Sequence, residues 1–218
     1  MQRGPGADSS VLNGCEHGLH VVCPSGIGAL LESQVDVGSG RHTARLSCCR
    51  FKPATSATTR TIPVTLTFGE VPLLLHNDQV LAQSNAILHY LAVHTGRWGG
   101  ETPERLANAL QWLFWEANRL GLSLPNVRFA NKFDATGYPQ GALTWLQERL
   151  QLDIQRLADE FKDGRMFILD DEPTIADFSF CDYLYWSDQA HLRVPTEVST
   201  WLERNSGLPG WKEPYGLM

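Results

Sequence analysis

From Pro103 onward the apolar residues recur at helical spacing. Leu106, Ala109, Leu110, Leu113, Ala117 and Leu120 share one face, which predicts a helix of about five turns stopped by Gly121. Leu143, Leu146, Leu150, Ile154, Leu157 and Phe161 predict a second helix from about Leu143 to Phe161, and GLSLPNVRFANKFDATGYPQG between them reads as a long connection. A third begins at Thr174, where Ala176, Phe180, Tyr183 and Leu184 form a pattern too apolar to face water. Thr174 and Asp177 there make an S/T-x-x-D box whose side chains can satisfy free N–H groups of the first turn, a folding role that argues against Asp177 as a catalytic acid.

Upstream the period changes. Val71 to Leu75 reads as a buried strand, Asn77-Asp78 as a turn and Val80 to Ala82 as the returning strand. Ser84 sits where a helix should begin, its hydroxyl placed to cap, with Ile87, Tyr90 and Leu91 following at helical spacing. The segment TGRWGGETP then links two units, with glycines ending one helix and Thr102-Pro103 opening the next. Earlier still, LHVV from Leu19 reads as a strand, CPSG as a loop, IGALLESQ as a short helix and VDV as another strand. Residues 39 to 67 carry no comparable pattern, and much of 1–67 has too few large apolar groups to offset the entropy of ordering.

Two features of the hairpin and helix suit a ligand. A proline at position 72 needs an edge, a strand start or a cis bond, and leaves the Val71 backbone available to an extended peptide. Gln83-Ser84 places hydrogen-bonding side chains at a helix N-terminus, which attracts carboxylates. Together they fit a small, extended, acidic peptide. The same residues also read as a plain ββα unit with a serine cap.

Composition narrows the choice. With 218 residues and 43% hydrophobic content the chain can build one large domain or two small ones. A net charge of -6 without a Lys/Arg cluster argues against nucleic acid, and the lack of a long apolar run argues against a membrane span, giving the expectation of a soluble, cytoplasmic protein. The chain also has a seam. Of its 9 Phe, 7 Trp and 5 Tyr, only Phe51 precedes Phe68, whereas Cys15, Cys23, Cys48 and Cys49, four of the five cysteines, do. Cys48-Cys49 lacks C-x-x-C spacing. His76, His89 and His94 invite a metal reading, but the spacing of the last two does not stack them on one helix face and no carboxylate or cysteine completes a set, so no metal is expected. Trp112 and Trp115 lie off the main helix face, to line an apolar groove or, as we favour, to pack. Asn126, Arg128 and Lys132 are site candidates by position alone.

G-E-V-P, a hairpin and then Q-S-N-A-I resemble the second half of the thioredoxin-like domain of glutathione transferases. P-T-I-A-D-x-S is similar to the capping signature of that family's all-α domain, and L-P-G-W-K-E-P-Y to the C-terminal end of its bacterial members. The resemblance runs from about Phe68 to Met218. It implies a two-domain chain, thioredoxin-like α/β followed by all-α. Residues 68–96 would be the second half of the glutathione-binding domain, 97–102 a linker and 103–218 the helical domain, with 1–67 unrecognised and the reading frame before about Phe68 not the family's own.

By this resemblance Val71 with Pro72 would pair with the cysteinyl part of glutathione, and Gln83, where many relatives have Glu, would hold the γ-glutamyl carboxylate together with Ser84. The reaction implied is attack of the glutathione thiolate on an apolar electrophile, in a homodimer. Moving a thiol from about pKa 8.5 to about 6.5 needs roughly 2.7 kcal/mol, near what one hydrogen bond to a charged sulfur supplies. The family's donor ends the first strand, which points to Ser25 or Cys23. A catalytically inactive binding or scaffold protein is the competing expectation.

Overall fold

The computed structural model describes residues 19–22, 68, 72–76, 79–133 and 136–211. Strands β1 (Leu19–Val22), β2 (Leu73–His76) and β3 (Gln79–Ala82) form an antiparallel sheet in the order β1-β2-β3. Val22 faces Leu73 across one ladder, and Leu73 faces Ala82 across the next. The LHVV segment is thus a strand, and the hairpin forms as its pattern predicts, with β2 shifted two residues towards His76 at its start. The expected turn at Asn77-Asp78, and the expected helix and strand between Ile27 and Val37, lie outside the described residues.

Helix α1 (Ser84–Thr95) follows the hairpin and ends where Gly96 takes the left-handed conformation at φ 61°. Ser84 is not the cap: it is the first helical residue, and Gln83 occupies the cap position without a side-chain capping bond. After the linker come α2 (Pro103–Asn118), α3 (Leu120–Lys132), α4 (Gln140–Glu160), α5 (Ile175–Leu184) and α6 (Thr196–Ser206). Thr102 opens α2 as predicted, its hydroxyl accepting from the Arg105 N–H at 3.1 Å, with Pro103 next.

The predicted long connection after Gly121 is instead α3. Pro125 inside that helix removes one backbone bond and costs about 3 kcal/mol. Leu120, Leu124, Val127 and Ala130 are all buried on the face it presents to the core, and large apolar side chains contribute about 1.5–3 kcal/mol each when buried. Burial therefore outweighs the proline. The break between α2 and α3 falls at Arg119, whose guanidinium donates to the buried Asp153 of α4 at 2.9 and 2.6 Å.

A single apolar core joins α2 to α6, and Leu88 and Ala92 of α1 belong to it, so the sheet unit docks through that helix. Trp112 and Trp115 pack on Phe180 of α5, Trp115 stacked and Trp112 edge-on, in line with the packing reading. They also border an open groove of about 600 Å³ between α2 and Arg156 of α4.

The capping box of α5 forms. Thr174 Oγ1 accepts from the Ala176 N–H at 3.3 Å, and Asp177 Oδ2 accepts from the Thr174 N–H at 2.8 Å. Asp177 also accepts from the Ile168 N–H and from Trp201 Nε1 of α6, both at 2.8 Å. Burial pushes its carboxyl upward, and these donors oppose the shift. Replacing Thr174 by Ala should cost about 0.5–2 kcal/mol in urea unfolding, because a helix cap is lost inside the core. A change under a few tenths would show that the box carries little of the fold.

Candidate functional site

The strand register brings three chain segments to one end of the sheet. Val22 ends β1, Leu73 begins β2 directly after the buried Pro72, and Ala82 ends β3 directly before Gln83. Pro72 thus opens its strand, where its missing N–H costs least. Val71, Cys23 and Ser25 lie outside the described residues.

Gln83 is exposed and has φ 72° and ψ 119°, a region that non-glycine residues rarely enter. Its carbonyl accepts from the Ile87 N–H at 3.0 Å, the first bond of α1. The unusual backbone sharply turns the chain from strand to helix, and Ser84 is half-buried at the first helical position. The opening N–H groups of a helix have no acceptor within it and carry the positive end of its dipole, so this corner favours an anion.

Behind the corner lies a polar seam that the sequence reading missed. Asn85 of α1 donates through Nδ2 to the Leu113 carbonyl at 3.2 Å and to Glu116 Oε2 at 3.1 Å, both on α2. Ser179 of α5 donates from Oγ, which lies 2.7 Å from Asn85 Oδ1 and 3.1 Å from Glu116 Oε2. Burial raises the Glu116 carboxyl above its ordinary value, against the pull of Asn85 and Ser179. Asp182 of α5 is raised to about 7 by burial first and by the Glu116 charge second, while Arg128 of α3 lowers it. The sole sequence signal was the position of Asn85 directly after Gln83-Ser84.

Other candidates go elsewhere. Arg128 and Lys132 both donate to Gln189 Oε1, at 2.7 and 3.0 Å, and Asn126 accepts from the Tyr138 hydroxyl at 2.6 Å, so all three make contacts within the helical unit. His76 Nδ1 lies 2.6 Å from the Tyr90 hydroxyl, and the His76 and His94 rings are 4.7 Å apart, a grouping of strand and helix that spacing along α1 could not reveal. Among the described residues no three His, Cys, Asp or Glu cluster to hold a metal, and no helix is long and apolar enough to cross a membrane.

The architecture is a small thioredoxin-like sheet unit followed by an all-α unit, with a strained strand-to-helix corner between β3 and α1. A family model for the N-terminal domain of glutathione S-transferase matches residues 59–93, which reaches upstream of Phe68. The chain is 30% identical to glutathione S-transferase F10 of Arabidopsis thaliana over 164 residues, covering 67% of this chain and 73% of that protein. A glutathione S-transferase structure from Xanthobacter autotrophicus Py2 superposes with a TM-score of 0.71 at 18% identity, covering 92% of this chain and 98% of its own. A family member from Pseudomonas fluorescens Pf-5, solved with two glutathione bound, gives 0.73 at 18% identity over 89% and 90% of the two chains. The chain belongs to the glutathione transferase family.

The corner is strained by roughly 1–3 kcal/mol at Gln83. Gln83→Gly should therefore raise unfolding free energy by about 1 kcal/mol after allowance for glycine's greater unfolded freedom. Destabilisation by a similar amount in urea would mean that the Gln83 side chain supports the fold.

The Asp182 carboxyl, raised from 3.8 to about 7, favours folding most below its unfolded value and loses that contribution as pH rises towards 7. Asp182→Asn should match the wild type near pH 4, gain on it as pH rises and level off above about 7. A pH-independent difference in melting temperature would contradict the assigned shift.

Proposed function

We propose that the protein binds glutathione at the corner formed by Pro72, Gln83 and Ser84, and conjugates its thiolate to an apolar electrophile. The observation that carries this reading is the convergence of β1, β2 and β3 ends at that corner. Ser84 and the first N–H groups of α1 would receive the γ-glutamyl carboxylate, with Gln83 beside it. The Val71 backbone, next to Pro72, would pair with the cysteinyl peptide unit. Cys23 or Ser25, which follow β1 in the chain, would supply the hydrogen bond that stabilises the thiolate.

Each group has one task. The helix end neutralises a carboxylate, the backbone at the start of β2 fixes the peptide, and the donor lowers the thiol pKa, which raises the thiolate fraction at neutral pH. No metal is needed for this chemistry, because the nucleophile is already an anion at the moment of attack. We also place the protein in the cytoplasm and as a homodimer.

Wild-type protein should be retained on glutathione-agarose and conjugate at least one of several aryl or alkyl halides. Ser84→Ala should weaken retention by about tenfold or more, the usual loss for a hydrogen bond to a charged group. Cys23→Ala or Ser25→Ala should lower turnover while leaving retention intact. Retention without activity towards any electrophile would make the protein a binding module. Failure of the wild type to bind would remove the glutathione reading. Sedimentation as a monomer would contradict the dimer.

A further inference from the structure

The end of the sheet remote from the corner gathers two imidazoles and a phenol. The corner lies at the Leu73 end of β2, and His76 closes the other end, paired with Gln79 of β3, about 10 Å away along the strand. His94 sits in the last turn of α1, about 15 Å along that helix from Ser84. Tyr90, one turn before His94, completes a triangle. Its hydroxyl is 2.6 Å from His76 Nδ1, and its ring stacks on His94 with centroids 5.6 Å apart. The two imidazole rings are 4.7 Å apart and nearly perpendicular, at 80°. His76 and Tyr90 are half-buried and His94 is exposed, so the group opens to solvent on the helix side.

This grouping brings nitrogen donors from two different elements within reach of one ion, and imidazole suits Cu2+, Ni2+ and Zn2+. An ion about 2.0 Å from one nitrogen of each ring would see rings at this separation at about 90°, as neighbouring ligands of a square or octahedral shell stand. Tyr90 supplies what a ligating histidine uses on its far side. With the His76 proton on Nδ1 and donated to the Tyr90 oxygen, the ring is fixed and Nε2 is the ligating nitrogen. The C-terminal end of α1 adds the negative pole of the helix dipole, which favours a cation. Among the described residues no third His, Cys, Asp or Glu joins the pair, so water fills the remaining positions.

We propose that His76 and His94 form a two-histidine site for a divalent transition metal of the Ni2+ or Cu2+ kind, with Tyr90 orienting His76, and that the bound ion clamps β2 to α1. The site stands apart from the glutathione corner and does not depend on it. Spacing along α1 conceals it, because the partner of His94 is on the strand and not at His89. Two protein ligands make the ion exchangeable, unlike a structural ion held by four.

The test uses the full-length protein and NiCl2, since Ni2+, unlike Cu2+, does not oxidise the thiols of the chain's 5 cysteines. Calorimetric titration should show one ion per chain, and the melting temperature should rise with Ni2+. His94→Gln, a change of an exposed side chain, should weaken binding by about tenfold or more and abolish that rise. His76→Gln should do the same. Tyr90→Phe should weaken binding by about tenfold while keeping one ion per chain, the low end for losing the outer partner of a ligating histidine. His89→Gln, on α1 but outside the triangle, should bind as the wild type does.

Equal affinity in His94→Gln and wild type would place the ion on other histidines and overturn the site. A sulfur-to-nickel charge-transfer band, the mark of thiolate ligands, would do so as well, as would failure to saturate by about 1 mM Ni2+. Equal binding in Tyr90→Phe and wild type would remove the orienting role of Tyr90. If His76→Gln does not fold, His94→Gln decides.

Discussion

The buried Asp177 carboxylate is the constraint on which the helical unit depends. It lies wholly inside the protein and accepts from the Ile168 and Thr174 backbone, the Thr174 hydroxyl and the Trp201 indole. A carboxylate without water is costly unless its acceptor sites are filled, and here four donors from three separate segments fill them. The loop before α5, the first turn of α5 and α6 are therefore registered on one group. Trp201, itself fully buried and lying against Phe161, could not take this position without a partner for its N–H. The folding role assigned to Asp177 follows from this arrangement.

Helix α5 carries that registration to the candidate site. One face of it holds Phe180 against Trp112 and Trp115, and Ser179 next to Phe180 meets Asn85 of α1. Apolar contact alone would press α1 on the helical unit through Leu88 and Ala92, but such contact is non-directional and specifies rotation about the helix axis poorly. The Asn85–Glu116–Ser179 bonds supply that missing specificity, because each has a direction. A corner with Gln83 at positive φ persists only when its surroundings hold it on both sides. The β2–β3 ladder holds it from the sheet side, and this polar seam holds it from the helix side.

The sequence made these parts legible unequally. The Thr174–Asp177 box, the hairpin and the LHVV strand were readable because each is encoded within a few neighbouring residues. The helix Leu120–Lys132 was hidden because Pro125 and Gly121 are breakers by local rule, while the compensation comes from burial against α4, which only tertiary structure supplies. Ser84 looked like a cap because its type is right, yet Gln83 takes the cap position through a backbone geometry that no residue pattern announces. The Asn85–Glu116 and Asn85–Ser179 contacts join residues 31 and 94 positions apart, a distance over which single-sequence periodicity carries no information. His76 and His94, grouped in the sequence only as weak metal candidates, do meet, but with Tyr90 as the third member, a partner that spacing along one helix does not reveal.

The cost of the polar seam bears on what it is for. An apolar replacement for Glu116 would avoid desolvating a carboxyl, so stability does not account for its place beside a second raised carboxyl at Asp182. Asp177 makes the contrast clear. Asp177 has four donors around it, whereas Glu116 Oε2 meets Asn85 and Ser179, and burial raises its carboxyl against their pull. Because Asn85 is joined directly to Ser84, the bonds that Glu116 and Ser179 make to it bear first on the end of α1.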